Sequence, residues 1–232
     1  MRVASKKNAR KRSLLSRILL CLAAFFVLFY LLIAGTLLAL RAIDPPISAV
    51  QIERQIDAWS KHVPYRRVYH FLPMSRISPE LQHAVVAAED ARFYQHHGFD
   101  WTEVHNAIEE DREGIRSRGA STITQQLVRN LFLSTGRSYI RKGIEASIVP
   151  IMEALLTKRR ILELYLNVIE WGPGIFGAEA AANFHYREPA RSLTREQAVQ
   201  LAAILPAPLR RKPGRMTEYG EIIEGRMREM GW

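Results

Sequence analysis

Residues 18–40, ILLCLAAFFVLFYLLIAGTLLAL, carry no charged side chain. About 20 such residues in helical form cross the hydrocarbon of a bilayer, and a helix satisfies its own backbone polar groups, as lipid requires. The first element is therefore expected to be a single membrane-spanning helix. Arg2, Lys6, Lys7, Arg10, Lys11, Arg12 and Arg17 precede it with no acid among them. The positive-inside rule keeps such a tail in the cytoplasm and sends the rest outward. A cleaved signal peptide would have a shorter apolar core, about 7–15 residues, and a small-residue cleavage site. Here the run closes on Leu-Leu-Ala-Leu-Arg41, so an uncleaved anchor is expected.

The anchor also explains the charge. The formal net charge of +10 would suggest a nucleic-acid partner. Residues 1–41, however, hold eight basic side chains and no acid, which leaves 25 basic against 23 acidic over 42–232. The excess belongs to a tail that faces anionic headgroups, and no nucleic-acid partner is expected. The one cysteine, Cys21, lies in the apolar run, so the outer domain has no disulfide and must be held by its core.

Beyond the membrane the pattern is helical. Asp44-Pro45-Pro46 ends the first helix. Residues 41–77 read as a connector, with a helix over 48–61 and an extended stretch over 64–71. From residue 78 to 232 the chain reads as one mainly α domain. Ser78-Pro79-Glu80 starts a helix expected to run to about His96, with Gly98 behind it. Further helices are expected over 100–113, 121–133 and 138–156, where Pro150 predicts a kink. Thr157 caps a helix over 158–169. Residues 172–177, GPGIFG, read as a loop, and AEAAANF as a short helix. Thr194-Arg-Glu-Gln197 is a capping box, and a last helix occupies 216–229. No alternating strand series is present.

Three stretches carry polar groups suited to chemistry. In AVVAAEDARFYQHHGFD, residues 84–100, helical spacing puts Leu81, Val85 and Glu89 on one face and turns Asp90 away by about 100°. A carboxylate among apolar neighbours resists ionisation, which suits proton transfer. Periodicity alone leaves open a rim residue that reaches water. His96 and His97 point in different directions and read as a helix end bonding backbone carbonyls, not as metal ligands. In RGASTITQQLVRN, residues 118–130, Ser121, Thr122, Thr124, Gln125 and Gln126 suit a sugar- or amide-binding groove, or equally a capped helix with a solvated face. From Arg112 to Lys142 there are seven basic residues (Arg112, Arg116, Arg118, Arg129, Arg137, Arg141, Lys142) and one acid, Glu113, which suits an anionic group such as phosphate. Lys142 and Glu145 at i, i+3, with Arg141 and Glu145 at i, i+4, are either surface ion pairs or an acid held among cations at a phosphate site.

Together AAEDARFYQHHG, RGASTITQQLVRN and RKGIE…TKRRILELYLNVIEWGPGIFGAEAAA resemble the peptidoglycan glycosyltransferases, the family 51 transglycosylases, in their monofunctional form, over about residues 50–210. The resemblance implies a lysozyme-like, two-lobed helical domain, its smaller lobe partly embedded in the outer face of the inner membrane. It implies polymerisation of lipid II: the acceptor 4-hydroxyl attacks the anomeric carbon, a lipid diphosphate leaves, and configuration inverts. Glu89 then matches the catalytic base and Asp90 its acidic neighbour. Ser121, Thr122, Gln125 and Gln126, with Gly119, match the cleft lining. Arg137, Arg141 and Lys142 match cations that hold the diphosphate, with Arg129 standing where a lysine is usual. Glu145 matches a second essential acid beside the diphosphate or its divalent cation (Mg or Mn); no organic cofactor is implied. Glu163, Tyr165, Asn167, Gly172 and Gly177 match framework positions. Lipid II, the lipid-linked nascent glycan, the membrane and other cell-wall synthesis and division proteins are the implied partners. Pro150, and Asn183-Phe184-His185-Tyr186 in place of Tyr-Phe-Gly, depart from the pattern. A lysozyme-like hydrolase is the rival reading, but it needs neither a phosphate-suited patch nor an anchor beside a lipid substrate.

Overall fold

The computed structural model describes residues 2–112, 121–136, 138–214 and 217–232, with side chains from Ser16 onward except at 111 and 217. Helix α1 spans Arg2–Ala39, so the basic tail continues the apolar helix. Its Ser16–Ala39 portion is long and apolar enough to cross a membrane. It does not stand apart from the domain. Ile33, Leu37 and Leu40 are buried in the common core, and Tyr30 Oη donates to Ser147 Oγ at 2.8 Å.

The connector holds α2 (Ala49–Ser60), started by a capping box between Ser48 and Gln51, and the two-residue strand β1 (Val68–Tyr69). Then come α3 (Pro79–Glu89), α4 (Trp101–Arg112), α5 (Ile123–Phe132), α6 (Tyr139–Leu155) and α7 (Lys158–Val168). Strands β2 (Glu170–Gly172) and β3 (Ile175–Phe176) precede α8 (Ala178–Tyr186), α9 (Arg195–Ile204) and α10 (Thr217–Glu229). The mainly helical class is as expected. Thr157 and Thr194 cap α7 and α9 as their sequence predicts. The core joins two packed groups, α3 with α9 and α10, and α5 with α6 and α7. Side chains at 0 % exposure, such as Leu81, Val85, Ile123, Leu127, Ile148 and Leu164, fill it.

Three local expectations are corrected. Helix α3 stops at Glu89 rather than near His96. Asp90 takes φ −162° and ψ 71°, and its carboxylate bonds the backbone at Ile123, so a tertiary contact overrides a helix-compatible sequence. Ser78 does not cap α3 through its side chain; its Oγ donates to Leu193 O at 3.1 Å. Helix α6 continues on both sides of Pro150, which is exposed. GPGIFG is not a plain loop. It turns β2 back on β3, which pairs in parallel with β1 through Val68↔Ile175 and Tyr69↔Phe176. Gly174 makes the turn at φ +74°, and a Cβ there would sit 2.5 Å from Arg66 O.

Candidate active site

Glu89 is the last residue of α3 and lines a cleft of about 800 Å³ together with Asp90, Ser121, Thr122, Gln126 and Arg129. Its Oε2 accepts a hydrogen bond from Gln126 Nε2 at 2.7 Å, while Oε1 is shielded from solvent and has no partner among the described residues. The Gln126 amide is fixed in that orientation, because Tyr165 Oη donates to its Oε1 at 2.8 Å. Burial pushes the Glu89 carboxyl above the ordinary carboxylate range, and Asp90 adds to this. The Gln126 bond and the charges of Arg129 and Arg211 pull the other way. Burial, then Glu89, hold the Tyr165 phenol well above its usual value, so Tyr165 remains a donor to Gln126.

Asp90 is turned out of the helix and buried. Its Oδ2 accepts from Ile123 N at 2.9 Å, where an anion suits the N-terminus of α5. Its Oδ1 lies 2.8 Å from His96 Nε2. Gly98 N donates to His96 Nδ1, so Nε2 carries the hydrogen and donates to Asp90. His96 is therefore not a helix end bonding carbonyls, as its sequence suggests; it braces Asp90. Exposed His97 makes no such contact. Asp100 completes a buried Asp90–His96–Asp100 group whose ligand atoms lie within 4.8 Å of one another. Its Oδ1 caps α4 through Thr102 N and Glu103 N.

The other carboxylate, Glu145, is 1 % exposed on α6 and bound by two cations: Arg141 Nη1 donates to Oε2 at 2.9 Å, and Lys142 Nζ contacts Oε1. Both oxygens are thus engaged, and among the described residues no group of three possible metal ligands includes Glu145. The donor set at Glu145 does not fit a resident metal ion. Lys142 Nζ also reaches Ser121 Oγ at 3.4 Å, and Gln126 Nε2 donates to Ser121 O at 3.3 Å. Ser121, which lines the Glu89 cleft, therefore links that cleft to Lys142.

The polar run of α5 divides by task. Ser121 and Gln126 connect Glu89 with Lys142. Thr122 and Gln125 form a reciprocal capping box, with Thr122 Oγ1 also donating to Gly98 O at 2.7 Å. Buried Thr124 pairs with Glu153. Arg137 and Gly119, together with Arg116, Arg118 and Glu113 of the basic run, lie outside the described residues. Of the framework positions, Asn167 donates to Leu72 O and accepts from Leu72 N, Glu163 accepts from Met74 N, and Gly177 passes so close to Asn167 that a Cβ would meet its carbonyl at 2.6 Å. The sequence gives no hint that Arg211, Tyr219 and Arg226 line the Glu89 cleft. No motif or spacing ties them to it; the packing of α10 on α3 brings Tyr219 and Arg226 there, and a bond to Ala203 O holds Arg211.

A profile described as transglycosylase matches residues 56–229, and the chain belongs to that family, a class of glycosyl-transferring enzymes. Among relatives named biosynthetic peptidoglycan transglycosylase, that of Pseudomonas aeruginosa is 40% identical over 221 residues, covering 95% of this chain and 94% of its own. That of Pseudomonas entomophila is 42% identical over 205 residues (88% and 84%), and that of Neisseria gonorrhoeae 45% over 185 residues (79% and 79%).

Proposed function

We propose that this chain is a single-pass, membrane-anchored peptidoglycan glycosyltransferase that polymerises lipid II, with Glu89 as the general base. The observation that carries the reading is the state of the Glu89 carboxylate: one oxygen fixed by Gln126, the other desolvated and unpartnered at a cleft. Glu89 Oε1 takes the proton of the acceptor 4-hydroxyl as that oxygen attacks the donor's anomeric carbon. The bond from that carbon to the diphosphate breaks, a β-1,4 bond forms, and the diphosphate leaves with the bonding pair. Lys142 and Arg141 offset its charge, and Glu89 later loses its proton to solvent. A divalent cation brought in with the donor would share that load; no step requires the protein to hold one. Asp90 supports Glu89 by fixing α5 against the end of α3. Arg129 adds positive charge at the same cleft, and Ser121, Thr122 and Gln126 line it. The basic tail before the apolar helix supports an N-terminus in the cytoplasm and a catalytic domain on the outer face.

The test offers purified full-length protein lipid II and, separately, finished glycan. Consumption of lipid II with growth of polymer is expected. Fragmentation of the polymer without consumption of lipid II would replace this reading with the lysozyme-like hydrolase.

A further inference from the structure

The carbonyl end of α3 is held by a part of the chain that no site motif reaches. The last carbonyls of a helix lack partners within it and form its negative pole. At α3 these carbonyls immediately precede Glu89. Arg226 Nη1 donates to Ala87 O at 3.0 Å and lies 3.5 Å from Ala88 O. Tyr219 Oη donates to Ala88 O at 3.2 Å. Both residues belong to α10, which is anchored by Ile223 and Met227 at 0 % exposure. Tyr219 also carries the Arg211 guanidinium over its ring at 5.6 Å, and Arg211 Nη1 is tied to Ala203 O at 2.9 Å. Farther along the chain, Trp232 stacks on His83 of α3 at 4.2 Å, and its carbonyl accepts from Arg195 of α9. The segment after α9 thus crosses α3 as a strap.

We infer that Arg226 and Tyr219 are positioning residues for Glu89, holding the carbonyl end of α3 and with it the direction and electrostatic setting of the base. The inference rests on Glu89 serving as the base. A cation at a helix C-terminus offsets the helix's negative pole; without it that pole acts on a carboxylate one residue away. Other charged or titratable groups also face Glu89. Asp90 follows it in the chain, Arg129 comes from α5 and Tyr165 from α7, and Arg211 and Tyr219 come from the strap. Asp100, Glu103 and Glu229 line the same cleft. Among the described contacts, Asp90 N donates to Val86 O, and of the side chains just named only that of Tyr219 donates to Ala87 O or Ala88 O. The effect of removing Arg226 is therefore separable. Losing a cation beside a carboxylate disfavours its ionised form, so the Glu89 carboxyl titrates at higher pH.

The test compares Arg226→Met, which keeps the stem and removes the donors, with Arg226→Lys, which keeps one charge and a donor. Each is made in the full-length protein with and without Glu89→Gln. The infrared carboxyl difference between each pair reports Glu89 titration without any assay of turnover. The pH profile of lipid II polymerisation is measured alongside. With Arg226→Met we expect the Glu89 midpoint and the acid limb of kcat to rise together by about half a pH unit. We expect kcat to fall about tenfold with KM within twofold, and Arg226→Lys to recover most of both. Tyr219→Phe, a milder change that decides the matter if Arg226→Met does not fold, shifts the same midpoint upward by less. An unmoved midpoint in the folded variants, with stability lost or not, would overturn the inference. Wild-type protein that consumes no lipid II would instead refute the proposed reaction, leaving the infrared comparison to judge the positioning.

Discussion

Glu89 and Glu145 are acids of one molecule in opposite settings. Glu145 has a cation on each oxygen, and every proton it touches belongs to an arginine or a lysine. Glu89 has one neutral amide on one oxygen and, among the described residues, nothing on the other. A group that exchanges a proton with a passing substrate must keep a lone pair uncommitted. A group that holds cations in place must commit both oxygens. The contrast lies in the partners that each helix end brings, not in the residue type.

Glu89→Gln is the sharpest way to break that comparison. It keeps the shape and the Gln126 contact but removes the base. Turnover of lipid II should fall by about 10²–10⁴-fold. The same protein should melt at a higher temperature than wild type near neutral pH. The sign follows from burial: the folded-state pKa of Glu89 is raised, so the stability it contributes is present at low pH and lost as pH rises through that value. Thermal unfolding across pH checks this, and a lower melting temperature at neutral pH would contradict the desolvated carboxylate.

Glu145→Gln should act in the other direction on stability. It leaves Arg141 and Lys142 without their shared anion, at an expected cost of about 1–3 kcal/mol, reduced because Lys142 is 44% exposed. Denaturant unfolding reads this. A double-mutant cycle with Arg141→Met should be non-additive.

Tyr165→Phe is the smallest change. It frees the Gln126 amide to rotate, weakens the bond that favours ionised Glu89, and should move the acid limb of the rate upward with a several-fold loss of kcat. An unchanged limb would mean that Gln126 holds its orientation without Tyr165.

Much of the helical frame can be read in the chain, because caps are local. Thr157, the Thr194–Gln197 pair and Asp44-Pro45-Pro46 act on backbone within a turn of themselves. What cannot be read depends on distant partners. Asp90 ends α3 because Ile123, 33 residues on, offers its N–H. Strands of two or three residues carry no periodicity, so β1 with β3 becomes visible only once the chain is folded. At the site, Glu89 stands out by its apolar neighbours and Glu145 by its basic ones. The tie between them through Gln126 and Ser121 does not, since the same polar run also serves to cap α5.

The contact of Tyr30 with Ser147 has a consequence for depth. A helix rises about 1.5 Å per residue, so the part of the apolar span before Tyr30, Ser16–Phe29, measures only about 21 Å. A bilayer's hydrocarbon layer is about 30 Å thick. As a membrane span, α1 must spend some of its docked residues inside that layer as well. The flank of α6 at Ser147 then lies level with the lipid tails, only a few residues along the helix from Glu145 and its two cations. With α1 across a bilayer, the catalytic domain would meet the lipid at the waterline, not from above it.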